Sequence, residues 1–495
     1  MAPPPPPASP SAEELPAMML DRRELFSRAL AAGLGASLPA EALAAGLAAA
    51  AQPQWALALG DVAADIAPRG LTRLHGRLPA DLVGTLYRNG PALFRRGDTA
   101  VNHWFDGDGL VRAFACHDGG VQLQARFVDT PKRRIETAAG RIVQPGFATP
   151  ARPGAQVGSA DDTNAANTHV IAAGGRLLAL WEAGSATAMD MATLATIGPV
   201  AFRPDLKGMP FLAHPKVEAS GRIWNIGLSG KHAYVYRLSA GGALEAGQMI
   251  KLPAASYCHD FTMAARHLII VLQPWLHEKA SLPFSTGMVW RPEQGTRVLV
   301  IDKDDLTRQR LFELPALFFF HLGDGWEEAD GTIHFDGAFD SSPLFAVEGA
   351  PALVEGRYPR SERPMLRLVS LHPDGRARLR DAGITAEFPR NPGGHDGPRP
   401  TFHVGGYQPG RPFARSIGRW DWQAGRGQAH DFGAHQIVEE FVPAGPWLIG
   451  TTINLKARAT ELHMMRADRL TDGPVASFRA DVALPHSFHG SWLAA

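Results

Sequence analysis

Cysteine is nearly absent from this chain of 495 residues, which holds two, Cys116 and Cys258. Two cysteines cannot form a disulfide framework or a cysteine-based zinc site, because both need their ligands in sets. Any metal must therefore be held by histidine or carboxylate. Net charge is absent as well, with 49 Lys plus Arg set against 49 Asp plus Glu. A nucleic-acid footprint needs a concentrated positive balance, so that class of function is excluded. Beyond the N-terminal region no long helical period survives, and no tyrosine stands between Tyr87 and Tyr234.

The chain does have 45% hydrophobic residues with 20% charged ones, and 52 glycines and 40 prolines to supply turns. That composition is globular, enough for one large all-β domain or two to three ordinary ones. The first 52 residues read separately. Met1 to Pro16 is proline-rich and extended, with Met18 or Met19 as alternative starts. Arg22-Arg23 then precede an alanine- and leucine-rich stretch ending in small residues around Ala49 to Ala51, the pattern of a twin-arginine export signal. The alternatives are a helical hairpin or a membrane anchor, but Pro39 and Glu41 interrupt the run that a span of about 20 apolar residues would need. Export places the protein in the periplasm; without it the location is cytoplasmic.

From Trp55 the chain reads as short strands. Gly84 to Arg88, Leu110 to Ala115, Val121 to Val128, Arg176 to Trp181, Arg222 to Ile226, Leu268 to Leu272, Val298 to Ile301, Thr332 to Phe335 and Leu448 to Ile453 are rich in branched and aromatic residues and bounded by Gly, Asp, Pro and Asn. Many short strands over residues 53–495 predict one closed, radially repeated β domain, a propeller. One further strand, within Leu317 to Glu328, runs Phe318-Phe319-Phe320 into His321 and is expected to end at a Gly-Asp-Gly turn.

Histidine recurs in that setting. His214, His259, His321 and His489 each end an apolar run before a turn or strand. The first three are separated by about one blade length, roughly 40 to 50 residues plus insertions. One histidine per blade would bring imidazoles to a common axis, a borderline-soft site suited to Fe(II), Cu or Zn rather than Mg or Ca. Satisfied core histidines in a non-catalytic binding module, or a hydrolase, are the alternative.

The ordered motifs Leu86-Tyr87-Arg88-Asn89-Gly90-Pro91, His103-Trp104-Phe105-Asp106-Gly107-Asp108-Gly109, Leu178-Ala179-Leu180-Trp181-Glu182, Ala213-His214-Pro215-Lys216, His259-Asp260-Phe261, the phenylalanine-led His321 segment with Glu327-Glu328, Glu387-Phe388-Pro389-Arg390, Phe441-Val442-Pro443 and Phe488-His489-Gly490 resemble those of the carotenoid cleavage oxygenases. They cover the chain from Leu71 to its end. The resemblance implies a seven-bladed β-propeller, with loops and short helices capping one face over a substrate tunnel. It implies Fe(II) held by His214, His259, His321 and His489. Glu182, Glu387 and Glu440 match the carboxylates that hold three of the imidazoles, His259, His321 and His489. Two departures leave choices open. Glu439 and Glu440 stand too close to Val442-Pro443 to be told apart, and the short approach to His489 makes His486 a competitor.

The family's reaction, carried over as an expectation, is cleavage of a carbon–carbon double bond by O2 into two carbonyl products. Thr168, Trp181, Tyr257, Phe320 and Phe488 are expected to line the substrate and oxygen pocket, with Thr168 crowding one metal position. In the lignostilbene-cleaving branch a lysine precedes the first glutamate and a tyrosine stands upstream. Here Trp181 precedes Glu182, which favours an apolar carotenoid or apocarotenoid over a phenolic stilbene. The retinoid isomerase branch uses the same metal site without cleavage. Trp275 to Trp290 is a candidate apolar loop for touching a membrane, with a core-packing insertion as the alternative. The chain is expected to act as a monomer without nucleic acid.

Overall fold

Strand position along each sheet decides composition. Segments in the middle of a blade are buried on both faces and carry continuous apolar runs, as in His267–Leu272 (HLIIVL). Rim segments alternate and fill with charge, as in Ala377–Thr385 (ARLRDAGIT) and Arg426–Asp431 (RGQAHD). The computed structural model describes residues 52–117, 119–358, 363–392 and 397–495. The proline-rich leader and the twin-arginine stretch lie outside the described residues. Pro53–Ala495 forms one compact unit.

Seven sheets of four or five antiparallel strands make a seven-bladed β-propeller. Blade 2 runs from His169–Ala173 outward to Thr196–Pro199, blade 3 from Lys216–Val217 to Leu244–Lys251, and blade 4 from Thr262–Met263 to Gln309–Leu314. Blade 5 runs from Phe318–Glu327 to Ala377–Thr385, and blade 6 from Glu387–Arg390 to Arg426–Asp431. Two blades mix the chain's ends. In blade 1 the inner strand is Gly490–Ala494, paired with Gly84–Arg88 so that Arg88 faces Gly490. Blade 7 starts at Gln436–Ala444 and takes Thr72–Gly76 as its outer strand against Pro474–Arg479. The ring is thus closed twice by pairing between segments 400 or more positions apart.

Between neighbouring blades lie apolar layers. Leu212, Trp224, Ile226, Leu268 and Ile270 join blades 3 and 4, and Ile269, Val300, Phe319 and Phe335 join blades 4 and 5. Each such side chain, taken fully from water, contributes about 1.5–3 kcal/mol before entropy is counted. Over one face sit the loops, the helix Pro131–Ala139, and a hairpin pairing Trp275–His277 with Met288–Trp290.

Two sequence expectations need correction. Gly323-Asp324-Gly325 is no turn but the middle of the ten-residue strand Phe318–Glu327. The glycine at 323 is required by crowding: a Cβ there would stand 1.9 Å from Asp336 Oδ1. The helix Pro131–Ala139 was missed because it is short and its buried face is polar. Thr130 caps it, Pro131 opens it and Gly140 ends it in the left-handed region. Its buried Lys132 bridges Glu136 and Asp108, a pattern no hydrophobic period reveals. The strand segments read from the sequence are all present, mostly extended by one to three residues.

Candidate metal centre

Each of the four histidines stands on or just before the innermost strand of a different blade. His214 precedes Lys216–Val217, His259 precedes Thr262–Met263, His321 lies within Phe318–Glu327, and His489 precedes Gly490–Ala494. The closing of the ring by the C-terminal strand is what brings His489 beside the others. One ring nitrogen from each lies within 4.8 Å of all the rest, and all four residues are buried. His214 Nε2 and His259 Nε2 are 3.0 Å apart. The ring centroids of His214 and His489 are 4.4 Å apart, and those of His321 and His489 are 4.7 Å apart.

Carboxylates back three of the four. Glu182 accepts from His259 Nδ1 at 2.5 Å, Glu387 from His321 Nδ1 at 2.6 Å, and Glu440 from His489 Nδ1 at 3.0 Å. With the proton fixed on Nδ1, each Nε2 turns a lone pair toward the axis. Burial, together with the other imidazoles, pushes the pKa values of His214 and His489 well below the ordinary histidine value, so both are neutral. His321 Nε2 is buried with no hydrogen-bond partner among the described residues.

These features fit a divalent cation. Converging lone pairs repel unless a cation sits among them, and a buried nitrogen without a partner is costly. Among the described residues, Glu182 and Glu387 have no lysine or arginine partner, so two negative charges face the cluster. A doubly charged ion balances them.

Glu439 and Glu440 are now distinct. The strand Gln436–Ala444 carries a bulge between Val438 and Phe441, which sets both glutamates opposite Thr451. Both are therefore buried at the inner edge. Glu440 faces His489, and also takes hydrogen bonds from Gly490 N at 3.0 Å and Arg88 Nη1 at 2.9 Å, with Arg390 Nε 2.9 Å from its other oxygen. Glu439 instead holds Ser487, through its backbone N–H and hydroxyl, and Thr451. His486 does not join the four; its ring stacks on Phe413 at 4.9 Å.

The same device recurs on two more inner strands. A bulge sets Phe320 and His321 together opposite Ala338, and another sets Phe388 and Pro389 opposite His403. Phe388 has a positive φ of 51° and stacks on the His321 ring, centroids 4.6 Å apart. Left-handed backbone at a bulky residue costs roughly 1–2 kcal/mol, offset here by its N–H, which donates to Glu387 at 2.7 Å. Motif spelling gave no role to Phe388, Arg88 or Arg390. Arg88 also ties Ser487 and the Phe488 carbonyl.

His259, His321 and His489 line a cavity of about 980 Å3, at the upper end for small-molecule sites. Thr168, Trp181, Tyr257, Phe320 and Phe488 all line it, with Phe105, Phe147 and Phe284 among the others. Thr168 is buried, and its carbonyl accepts from His489 N at 3.2 Å. The Tyr257 hydroxyl donates to Glu182 at 2.9 Å; burial and that carboxylate push its pKa well above the ordinary tyrosine value. In the hairpin of residues 275–290, Trp275 and Met288 are buried against Phe147, Tyr257 and Phe318. Phe284 packs on Trp181 and Leu282 is 43% exposed. Among the described residues no helix is long and apolar enough to cross a membrane.

Residues 61–494 match the family described as retinal pigment epithelial membrane protein. The chain is 27% identical over 456 residues to apocarotenoid-15,15′-oxygenase of Synechocystis sp., covering 85% of this chain and 92% of that protein. It is 28% identical over 461 residues to lignostilbene-α,β-dioxygenase isozyme III of Sphingomonas paucimobilis, covering 85% and 92%. Among solved structures, the cobalt-substituted Synechocystis apocarotenoid oxygenase superposes with a TM-score of 0.80 at 24% identity, covering 89% of this chain and 98% of that one.

Proposed function

The chain belongs to the retinal pigment epithelial membrane protein family, the carotenoid cleavage oxygenases, and from that premise we propose that it cleaves a carbon–carbon double bond of a carotenoid or apocarotenoid with O2, using Fe(II) held by His214, His259, His321 and His489. The observation that carries this reading is the meeting of four buried imidazoles, three of them backed by carboxylates and the same three in the wall of a cavity rich in aromatic rings. Both atoms of O2 enter the products, one on each former alkene carbon, so no outside reductant is needed.

A ferrous ion, when bound, supplies the redox chemistry that lets O2 react with an electron-rich alkene. The chain's own residues do the rest. Glu182, Glu387 and Glu440 keep their histidines in the tautomer that offers Nε2, and leave the ligand set free of first-hand negative charge. Phe105, Phe147, Phe320 and Phe488 hold a conjugated chain by its faces and keep water from the reacting carbons. Thr168 narrows the approach beside His489.

Trp181, against Phe284, stands where the lignostilbene branch places a lysine, which favours the polyene. One observation favours a phenolic stilbene as second reading: the Tyr257 hydroxyl and Glu182 form a polar pair in the cavity wall, which a phenol could join. Incubating iron-loaded protein with carotenoids, apocarotenals and stilbenes under labelled O2, and reading masses, tests both. Two labelled carbonyl fragments from a polyene support the proposal. Cleavage of stilbenes alone moves it to the second reading, and isomerised substrate without label overturns cleavage. We place the exported, monomeric protein in the periplasm, where the exposed Leu282 is the part of the hairpin of residues 275–290 left to touch lipid.

A further inference from the structure

Three of the four clustered histidines have a carboxylate on Nδ1, and among the described residues His214 has none. Its orientation has to be set by other means, and blade 2 supplies them. The inner strand of that blade, His169–Ala173, gives nothing to the cluster of four, yet it opens on a histidine. His169 is buried, with its ring centroid 6.0 Å from that of His214 and 5.6 Å from that of His489. Both its nitrogens meet backbone oxygens: Nδ1 lies 2.8 Å from the Ala213 carbonyl and Nε2 lies 3.1 Å from the Gly490 carbonyl. The first carbonyl comes just before His214, the second just after His489. One ring thus spans the backbones that carry two of the four histidines.

We propose that His169 is a positioning residue for His214, holding by its backbone the one ligand that no carboxylate holds by its ring. It rests on the reading of the four imidazoles as a metal centre. A neutral imidazole has one N–H to donate. The Gly490 carbonyl already accepts from Arg390 Nη2 at 2.6 Å, whereas Ala213 is wholly buried and its carbonyl meets no other donor among the described residues. The proton is therefore needed on Nδ1, where it donates to Ala213. A buried carbonyl left without a donor is costly, and the backbone would shift to relieve it, taking the His214 ring along. On the other side His214 is followed by Pro215, which restricts the backbone of the residue before it. The ligand is thus fixed from both sides. Partners that orient a ligand in this way are worth about 10- to 100-fold in metal affinity.

Cobalt(II) binding to the metal-free full chain tests this, read by chelator competition and by the visible absorption of the saturated protein, with urea unfolding of the metal-free chain alongside. His169→Leu removes the donor, His169→Asn returns an amide N–H near the place of Nδ1, and His169→Gln returns one near the place of Nε2. His169→Leu is expected to bind cobalt about 10- to 100-fold more weakly and to show a changed spectrum at saturation, because His214 meets the ion at another angle. His169→Asn is expected to recover most of the affinity and the native spectrum, and His169→Gln is not. Native affinity and spectrum in His169→Leu overturn the proposal. Equal behaviour of the Asn and Gln variants also overturns it, and that pair decides the question where His169→Leu does not fold. A change confined to the urea midpoint assigns His169 to the stability of the fold alone and overturns it as well. Failure of the native chain to take up cobalt is a different result, and overturns the reading of the metal centre itself.

Discussion

The three glutamates behind the histidines are not equivalent, and replacing each by glutamine shows why. Glu440 spends both oxygens: Oε1 on His489 with Arg390 beside it, Oε2 on Arg88 and Gly490 N. An amide has one accepting end, so Glu440→Gln leaves two buried donors facing an NH2 group whichever way it turns. Each lost acceptor costs about 1–3 kcal/mol. Leaving the buried Arg88 without its carboxylate belongs to the class of changes costing about 3–5 kcal/mol. Glu387 differs, because His321 and Phe388 N both fall on Oε2, and a glutamine oxygen can keep both. Glu387→Gln should therefore lower metal affinity by about 10- to 100-fold, as for other groups that orient a ligand, while stability shifts by less than about 1 kcal/mol. Glu440→Gln should lose both, with about 3–5 kcal/mol of unfolding free energy gone. Urea unfolding beside chelator competition on the two variants measures this. Equal urea midpoints for the two would refute the reasoning.

Acid should destabilise the protein by way of buried histidines outside the set of four. Burial holds His403 and His463 down to about 4, so the fold binds fewer protons than the unfolded chain between pH 6.5 and 4. Stability present above pH 6.5 is lost as pH falls, by about 3 kcal/mol per histidine, and His463→Gln should flatten the urea midpoint against pH in that window. Asp336 runs the other way. Burial raises it to about 6, its fold binds more protons between pH 3.8 and 6, and by pH 7 it costs about 3 kcal/mol; Asp336→Asn should raise the urea midpoint at pH 7 and not at pH 4. Lysine at both Arg22 and Arg23 should strand the protein in the cytoplasm, read by cell fractionation against the native sequence.

Much of this was legible in the sequence because it is written in periods and spacings. Short alternating strands announced a propeller, and histidines placed at strand entrances announced a common axis. Three things were not legible, for a shared reason. Glu440 could not be told from Glu439, Gly323-Asp324-Gly325 read as a turn, and Phe388 had no role. Each depends on a bulge in an inner strand, and a bulge changes which face a side chain takes without leaving a mark in composition. The helix Pro131–Ala139 escaped because it buries an ion network rather than an apolar stripe.

The central claim is that four imidazoles from four blades hold one metal ion. Iron per chain, measured on purified protein and on His214→Ala, His259→Ala, His321→Ala, His489→Ala and His486→Ala, tests it directly. About one iron in the native chain and in His486→Ala, with loss in each of the other four, is the result predicted. Iron kept by any of those four, or lost with His486, would contradict it.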